Sequence, residues 1–108
     1  MPRYMIQETA APQAVAALMK NPEDRTGPVR SLLQAVGGRL EQYYFSLEEP
    51  TVFLIVDMPD QASVYALAMA IFAPGHLSSI RTTPLATASE AADLMKRAAS
   101  VPYQAPGR

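Results

Sequence analysis

A chain of 108 residues, 49% hydrophobic and 18% charged, suits one domain with a modest core and is too apolar to stay disordered. Nine basic and ten acidic residues give a net charge of −1, with no basic run to follow a phosphate backbone, so nucleic acid is not an expected partner. The absence of cysteine excludes disulfides, thiolate nucleophiles and thiolate metal sites together.

Arg3 to Glu8 reads as a first strand, with Tyr4 and Ile6 sharing one face by alternation. The opening Met-Pro-Arg-Tyr turns polar too soon for a secretory signal, and no apolar run approaches the ~20 residues that span a bilayer. No membrane is expected as a partner, and the expected location is cytoplasmic. Thr9 is placed to cap a helix whose Val15, Leu18 and Met19 form one apolar stripe, and Asn21-Pro22 interrupts it. A second helix is then expected with Glu23 and Asp24 in its first turn, a kink at Pro28, and Val29, Leu32, Leu33 and Val36 facing inwards. Gly37-Gly38 stops it.

Arg39 to Leu47 reads as a second strand, Glu48-Glu49-Pro50 as a turn and Thr51 to Asp57 as a third strand, so these two pair as a hairpin. Asp60 caps a helix carrying Val64, Leu67, Ala68 and Ile71, which ends at Pro74-Gly75. Leu77 to Leu85 supplies a fourth strand. Thr87 and Glu90 then form a capping box for a last helix, with Ala91, Leu94, Met95 and Ala98 expected to face inwards. Residues 1–99 are thus expected to form one domain and 100–108 a loose tail.

The order βαββαβ plus a C-terminal helix predicts an α+β, ferredoxin-like fold, in which both crossovers put their helices on one face of a four-stranded antiparallel sheet. The other face should then be polar if water covers it. It is not. Val52, Leu54 and Val56 alternate with Phe53 and Ile55, so the third strand is apolar on both sides. Alternation along the second strand puts Leu40 and Tyr44 on one side and Tyr43, Phe45 and Leu47 on the other. The expected cover is a second copy of the same sheet, making the chain a homo-oligomer, a dimer or a multiple of dimers.

Leu40-Glu-Gln-Tyr-Tyr-Phe-Ser-Leu47, the run Val52-Phe-Leu-Ile-Val-Asp-Met-Pro-Asp60 and Arg81-Thr-Thr-Pro-Leu85 resemble the GYD-domain family. So do Met1-Pro-Arg-Tyr4 and the Gly37-Gly38-Arg39-Leu40 step, and the resemblance runs from residue 3 to about residue 98. It implies a ferredoxin-like fold of the dimeric α/β-barrel type, with sheets of two subunits facing one another, and implies no particular reaction. One segment departs. Where the family has Gly-acidic-Tyr-Asp between the second and third strands, this chain has Glu48-Glu49-Pro50-Thr51. Either that segment serves a shared site, which this chain lacks, or it serves the turn, for which Pro50 offers another route. The turn is the reading we expect.

Candidate site residues are few. His76, the only histidine, follows Pro74-Gly75 in a loop, and alone it is too little for a transition-metal site. Arg81 is opposite in phase to Ile80, so it is expected beside Met5 and Gln7 in the space between facing sheets, gripping either a ligand carboxylate or an acidic residue of the other subunit. Tyr43 and Tyr44 face opposite ways, one into the helix-packed core and one towards a ligand or an interface. Glu48-Glu49 is a solvated turn, and neither a nucleophile motif nor a phosphate-binding glycine loop is present. The sequence therefore points to a homo-oligomeric barrel protein binding a small organic molecule between its sheets through Arg81, Tyr43, Tyr44, Gln7 and His76, with no cofactor and no metal. The alternative is a cofactor-independent enzyme, an oxygenase or isomerase, acting on such a molecule.

Overall fold

Alternation along the strands and the breaks at Pro and Gly fix the element order. The computed structural model describes residues 1–107, and comprises β1 (Arg3–Ala10), α1 (Pro12–Lys20), α2 (Thr26–Ala35), β2 (Arg39–Phe45), β3 (Thr51–Asp57), α3 (Gln61–Phe72), β4 (Leu77–Leu85) and α4 (Ala88–Ala99). The four strands form one antiparallel sheet in the order β2-β3-β1-β4, which is the ferredoxin-like arrangement. Tyr4 and Ile6 of β1, Leu54 and Val56 of β3, Leu33 of α2, and Val64 and Leu67 of α3 meet in a single core on the helix side. No helix among the described residues is long and apolar enough to cross a membrane.

The helix starts follow capping chemistry. Asp60 accepts the backbone N–H of Ser63 at 2.7 Å and opens α3. Thr87 and Glu90 bond reciprocally at 2.9 and 3.1 Å and open α4. Gly37 takes a φ of +78°, and a Cβ on Gly38 would lie 2.6 Å from the Met58 sulfur and 3.0 Å from the Asp57 carbonyl oxygen. The pair is therefore needed for a left-handed stop and for a close crossing of chains.

Several expectations are corrected. Thr9 caps no helix: it is still in β1, where its hydroxyl meets that of Thr51 at 3.0 Å, and Ala11 precedes α1 without a side-chain cap. Glu23 and Asp24 precede α2 rather than forming its first turn, with Asp24 accepting the Thr26 N–H at 2.9 Å. Pro28 falls in that first turn, where its missing N–H costs nothing, so no kink arises from it. In β2 the register shifts between Leu40 and Gln42, a bulge that moves Leu40 to the helix side together with Tyr43 and away from Tyr44. The β2–β3 turn is held by Ser46, whose hydroxyl oxygen accepts the N–H groups of Glu48 and Glu49, while the Pro50 carbonyl accepts from Ala10.

The last helix departs furthest. None of α4 is buried, and Leu94 and Met95 are 55% and 70% exposed, so its apolar stripe faces outwards. The molecule is 59 Å long, with a radius of gyration of 17.5 Å, against about 13 Å for a compact chain of this length. Residues 100–107 of the expected tail form no helix or strand, and Arg108 lies outside the described residues.

Candidate functional site

Helix α1 does not close onto the sheet. None of its residues is fully buried, and Val15 and Leu18 face a cavity of about 650 Å³ that opens between α1, the start of α2 and the sheet. The sheet wall is made by Glu8, Tyr43 and Val52, all on the helix side. The loop before α2 contributes Asp24 and Arg25, and the turn before β4 contributes His76. Two bonds fix that turn against α1: the Ala11 N–H donates to the His76 carbonyl at 2.9 Å, and the Gln13 amide donates to the Gly75 carbonyl at 3.0 Å. His76 is thereby held at the mouth with its side chain exposed.

Glu8 is the unusual member. It shares the phase of Tyr4 and Ile6, so alternation carries a carboxylate onto the face that the core occupies. Among the described residues nothing donates a hydrogen bond to it. Burial pushes its carboxyl above the usual range, and the attraction of Arg25 offsets only part of that cost. Arg25 is committed elsewhere, to Glu23 at 2.9 Å. Burial also raises the Tyr43 phenol, and the neighbouring Glu8 carboxylate raises it further. A carboxylate and a phenol thus share one mostly apolar pocket, both biased towards their protonated forms.

A pH dependence follows. A carboxyl whose folded value is raised holds its proton in the folded state at a pH where the unfolded chain has released it. Stability should therefore fall as pH rises from the ordinary glutamate value of about 4.3 through the higher folded value. Glu8→Gln should remove that decline and melt above the parent at neutral pH, as urea or thermal unfolding across pH 4 to 8 would read. A variant that loses stability at neutral pH would show that the carboxylate has a partner.

The residues expected between facing sheets divide into two groups. Arg81 lies opposite Gln7 across the β1–β4 ladder, and Gln7 lies opposite Phe53, which lies opposite Tyr44. These four span the bare face of the sheet in one row. Arg81 is exposed there, and among the described residues no carboxylate lies within ion-pair distance of it. Tyr43 and His76 lie instead at the cavity on the helix side, so the structure does not bring the five residues together. Glu8 and Arg25, which the sequence reading did not single out, lie with them.

The sequence matches the GYD domain over residues 4–95. No curated protein matches it. Eight chains of solved structures are similar to it. One, a crystal structure of antibiotic biosynthesis monooxygenase, is 13% identical with a TM-score of 0.45, the match covering 81% of this chain and 98% of that one.

Proposed function

Because the chain belongs to the GYD-domain family, with a ferredoxin-like sheet left bare on one side, we propose that it is a homo-oligomer whose subunits each bind a small, mostly apolar organic molecule. The bare faces meet one another, and the ligand enters the cavity between the sheet and α1 within each subunit. The observation that carries this reading is that cavity. Its volume of about 650 Å³ falls within the range of small-molecule sites, about 300–1,000 Å³. Its wall combines Val15, Leu18, Val29 and Val52 with a few polar groups that can orient a guest. An unfilled apolar gap in a small domain costs stability, and a guest recovers it. Gln7, Tyr44 and Arg81 belong in this reading to the face between subunits, with Arg81 pairing across it.

A titration with β-tetralone, an apolar bicyclic ketone, followed by backbone amide shifts tests the placement. Shifts should cluster at Val15, Leu18, Val29, Tyr43 and Val52, and Val52→Trp should fill the cavity and abolish them while the fold persists. Shifts confined to Phe53, Ile55 and Arg81, or none at all, would overturn the placement.

A further inference from the structure

Resting on that reading of the cavity, we infer that the chain catalyses proton transfer on an enolisable carbonyl compound, with Glu8 as the base and Tyr43 as the donor to the carbonyl oxygen. The two side chains come from different strands and line one cavity wall. The contrast with Asp57 shows why Glu8 is not simply structural. Asp57, buried on this sheet, is neutralised by the guanidiniums of Arg3 and Arg39 at 2.9 Å each. Glu8, partly buried, has no comparable ion pair or hydrogen bond among the described residues, so the attraction of Arg25 meets only part of its desolvation cost. A carboxylate partly withdrawn from water and left unpartnered is a stronger base than one in bulk water, and it meets the guest directly.

The surroundings suit the same chemistry. The titratable groups around Glu8 are Tyr43 from β2, Glu23, Asp24 and Arg25 from the loop before α2, and His76 from the turn before β4. Tyr43, half-buried, keeps its hydroxyl proton at neutral pH because burial and the Glu8 charge both oppose ionisation. A phenol so held donates a hydrogen bond to an oxygen on which negative charge is growing. The mostly apolar lining favours a substrate that is mostly hydrocarbon around its carbonyl, and such a guest displaces water from both groups as it binds.

The step balances without a co-reactant. A carboxylate oxygen of Glu8 bonds to a proton on the carbon next to the carbonyl, and that C–H bond breaks. Its electron pair becomes the new C=C bond, and the C=O π pair moves onto oxygen to give an enolate, which Tyr43 meets with its O–H. Glu8 then returns a proton to that carbon or to a conjugated one, either the one it took or a solvent hydrogen exchanged onto its carboxyl in the interval, and the carboxylate is restored. No electron is gained or lost, and the product is an isomer of the substrate, or the substrate itself with an exchanged hydrogen.

β-Tetralone in deuterated water tests this by proton NMR, with binding followed on the same samples through the amide shifts. The protein should exchange the hydrogens next to the ketone about 10,000-fold or more faster than buffer at the same pH, about 100-fold each from the base and from the donor. Glu8→Gln should fall to the buffer rate while its amide shifts with β-tetralone remain. Tyr43→Phe should slow exchange by about 100-fold and leave the pH dependence set by Glu8 in place. Exchange at the buffer rate while β-tetralone occupies the cavity would overturn proton transfer and leave the binding reading standing. Full exchange in Glu8→Gln would overturn the role of Glu8, and β-tetralone binding elsewhere or not at all would overturn both readings.

Discussion

Ile55→Asp should convert the assembled protein to monomers at micromolar concentration, with the sheet and its helices intact. Ile55 lies opposite Met5 on one side and Gln42 on the other, so it is near the middle of the bare face. If a second copy covers that face, a carboxylate there loses its water against an apolar surface. A two-fold interface meets each substitution twice. About 2 kcal/mol per side, the size of an interface hot spot, becomes about 4 kcal/mol, or roughly a thousandfold in Kd. Sedimentation velocity should therefore show a dimer or larger for the parent and a monomer for Ile55→Asp, with matching far-UV circular dichroism. Leu94→Ser on the exposed stripe of α4 serves as the comparison. Should that change, rather than Ile55→Asp, dissociate the parent, the interface runs through α4 and the bare sheet face is not its centre.

Most of the fold was legible because two strong local signals agree. The phase of Tyr4 and Ile6 against Met5, and of Leu54 and Val56 against Phe53 and Ile55, is the phase observed, and Asp60 and Thr87 open helices as their chemistry requires. The misreadings have specific causes. A hydroxyl before an apolar run looks like a cap, but the Thr9 hydroxyl had a cross-strand partner in Thr51, 42 residues away. The bulge after Leu40 involves no glycine or proline, so simple alternation carried the wrong phase through β2. In α4, periodicity groups Ala91, Leu94, Met95 and Ala98 on one side, but it says nothing about whether another element lies against them.

The candidate site was only partly legible, for a reason that concerns distance rather than residue type. Glu8 carries a readable signal, a carboxylate in phase with Tyr4 and Ile6. What no periodicity contains is the stand-off of α1 from the sheet. The apolar stripe of Val15 and Leu18 predicts a packed helix, and the gap beneath it depends on how the 21–25 loop and the turn at Gly75 hold its two ends. Without that gap the space between subunits is the natural place for a ligand, and Arg81, Gln7 and Tyr44 are its natural lining. Tyr43 and His76 reach the cavity through tertiary placement that their local sequence does not encode.

Asp57→Asn should be the most damaging single isosteric change within the subunit. The Asp57 side chain is 4% exposed and receives Arg3 Nε at 2.9 Å, Arg3 Nη2 at 3.3 Å and Arg39 Nη2 at 2.9 Å, so three donors converge on one carboxylate. An amide keeps one acceptor oxygen and turns an N–H group towards a guanidinium. Because Arg3 and Arg39 are themselves 47% and 67% exposed, they regain water, and the loss should be about 2 kcal/mol rather than the larger cost of a fully buried pair. The hydrogen bonds from Arg3 lead in holding the Asp57 carboxyl well below the usual carboxylate range. The sign follows from that depression. The unfolded chain binds the proton first, so the contribution is complete above the ordinary aspartate value of about 3.9 and is lost as pH falls through it towards the folded value. Urea unfolding at fixed protein concentration should show the parent losing stability below about pH 4 and the Asn variant lacking that component. Arg3→Gln should cost more than Arg39→Gln, since Arg3 holds both carboxylate oxygens while Arg39 divides its guanidinium between Asp57 and Glu41. Equal stability of Asp57→Asn and the parent at pH 7 would mean that the three bonds only replace water.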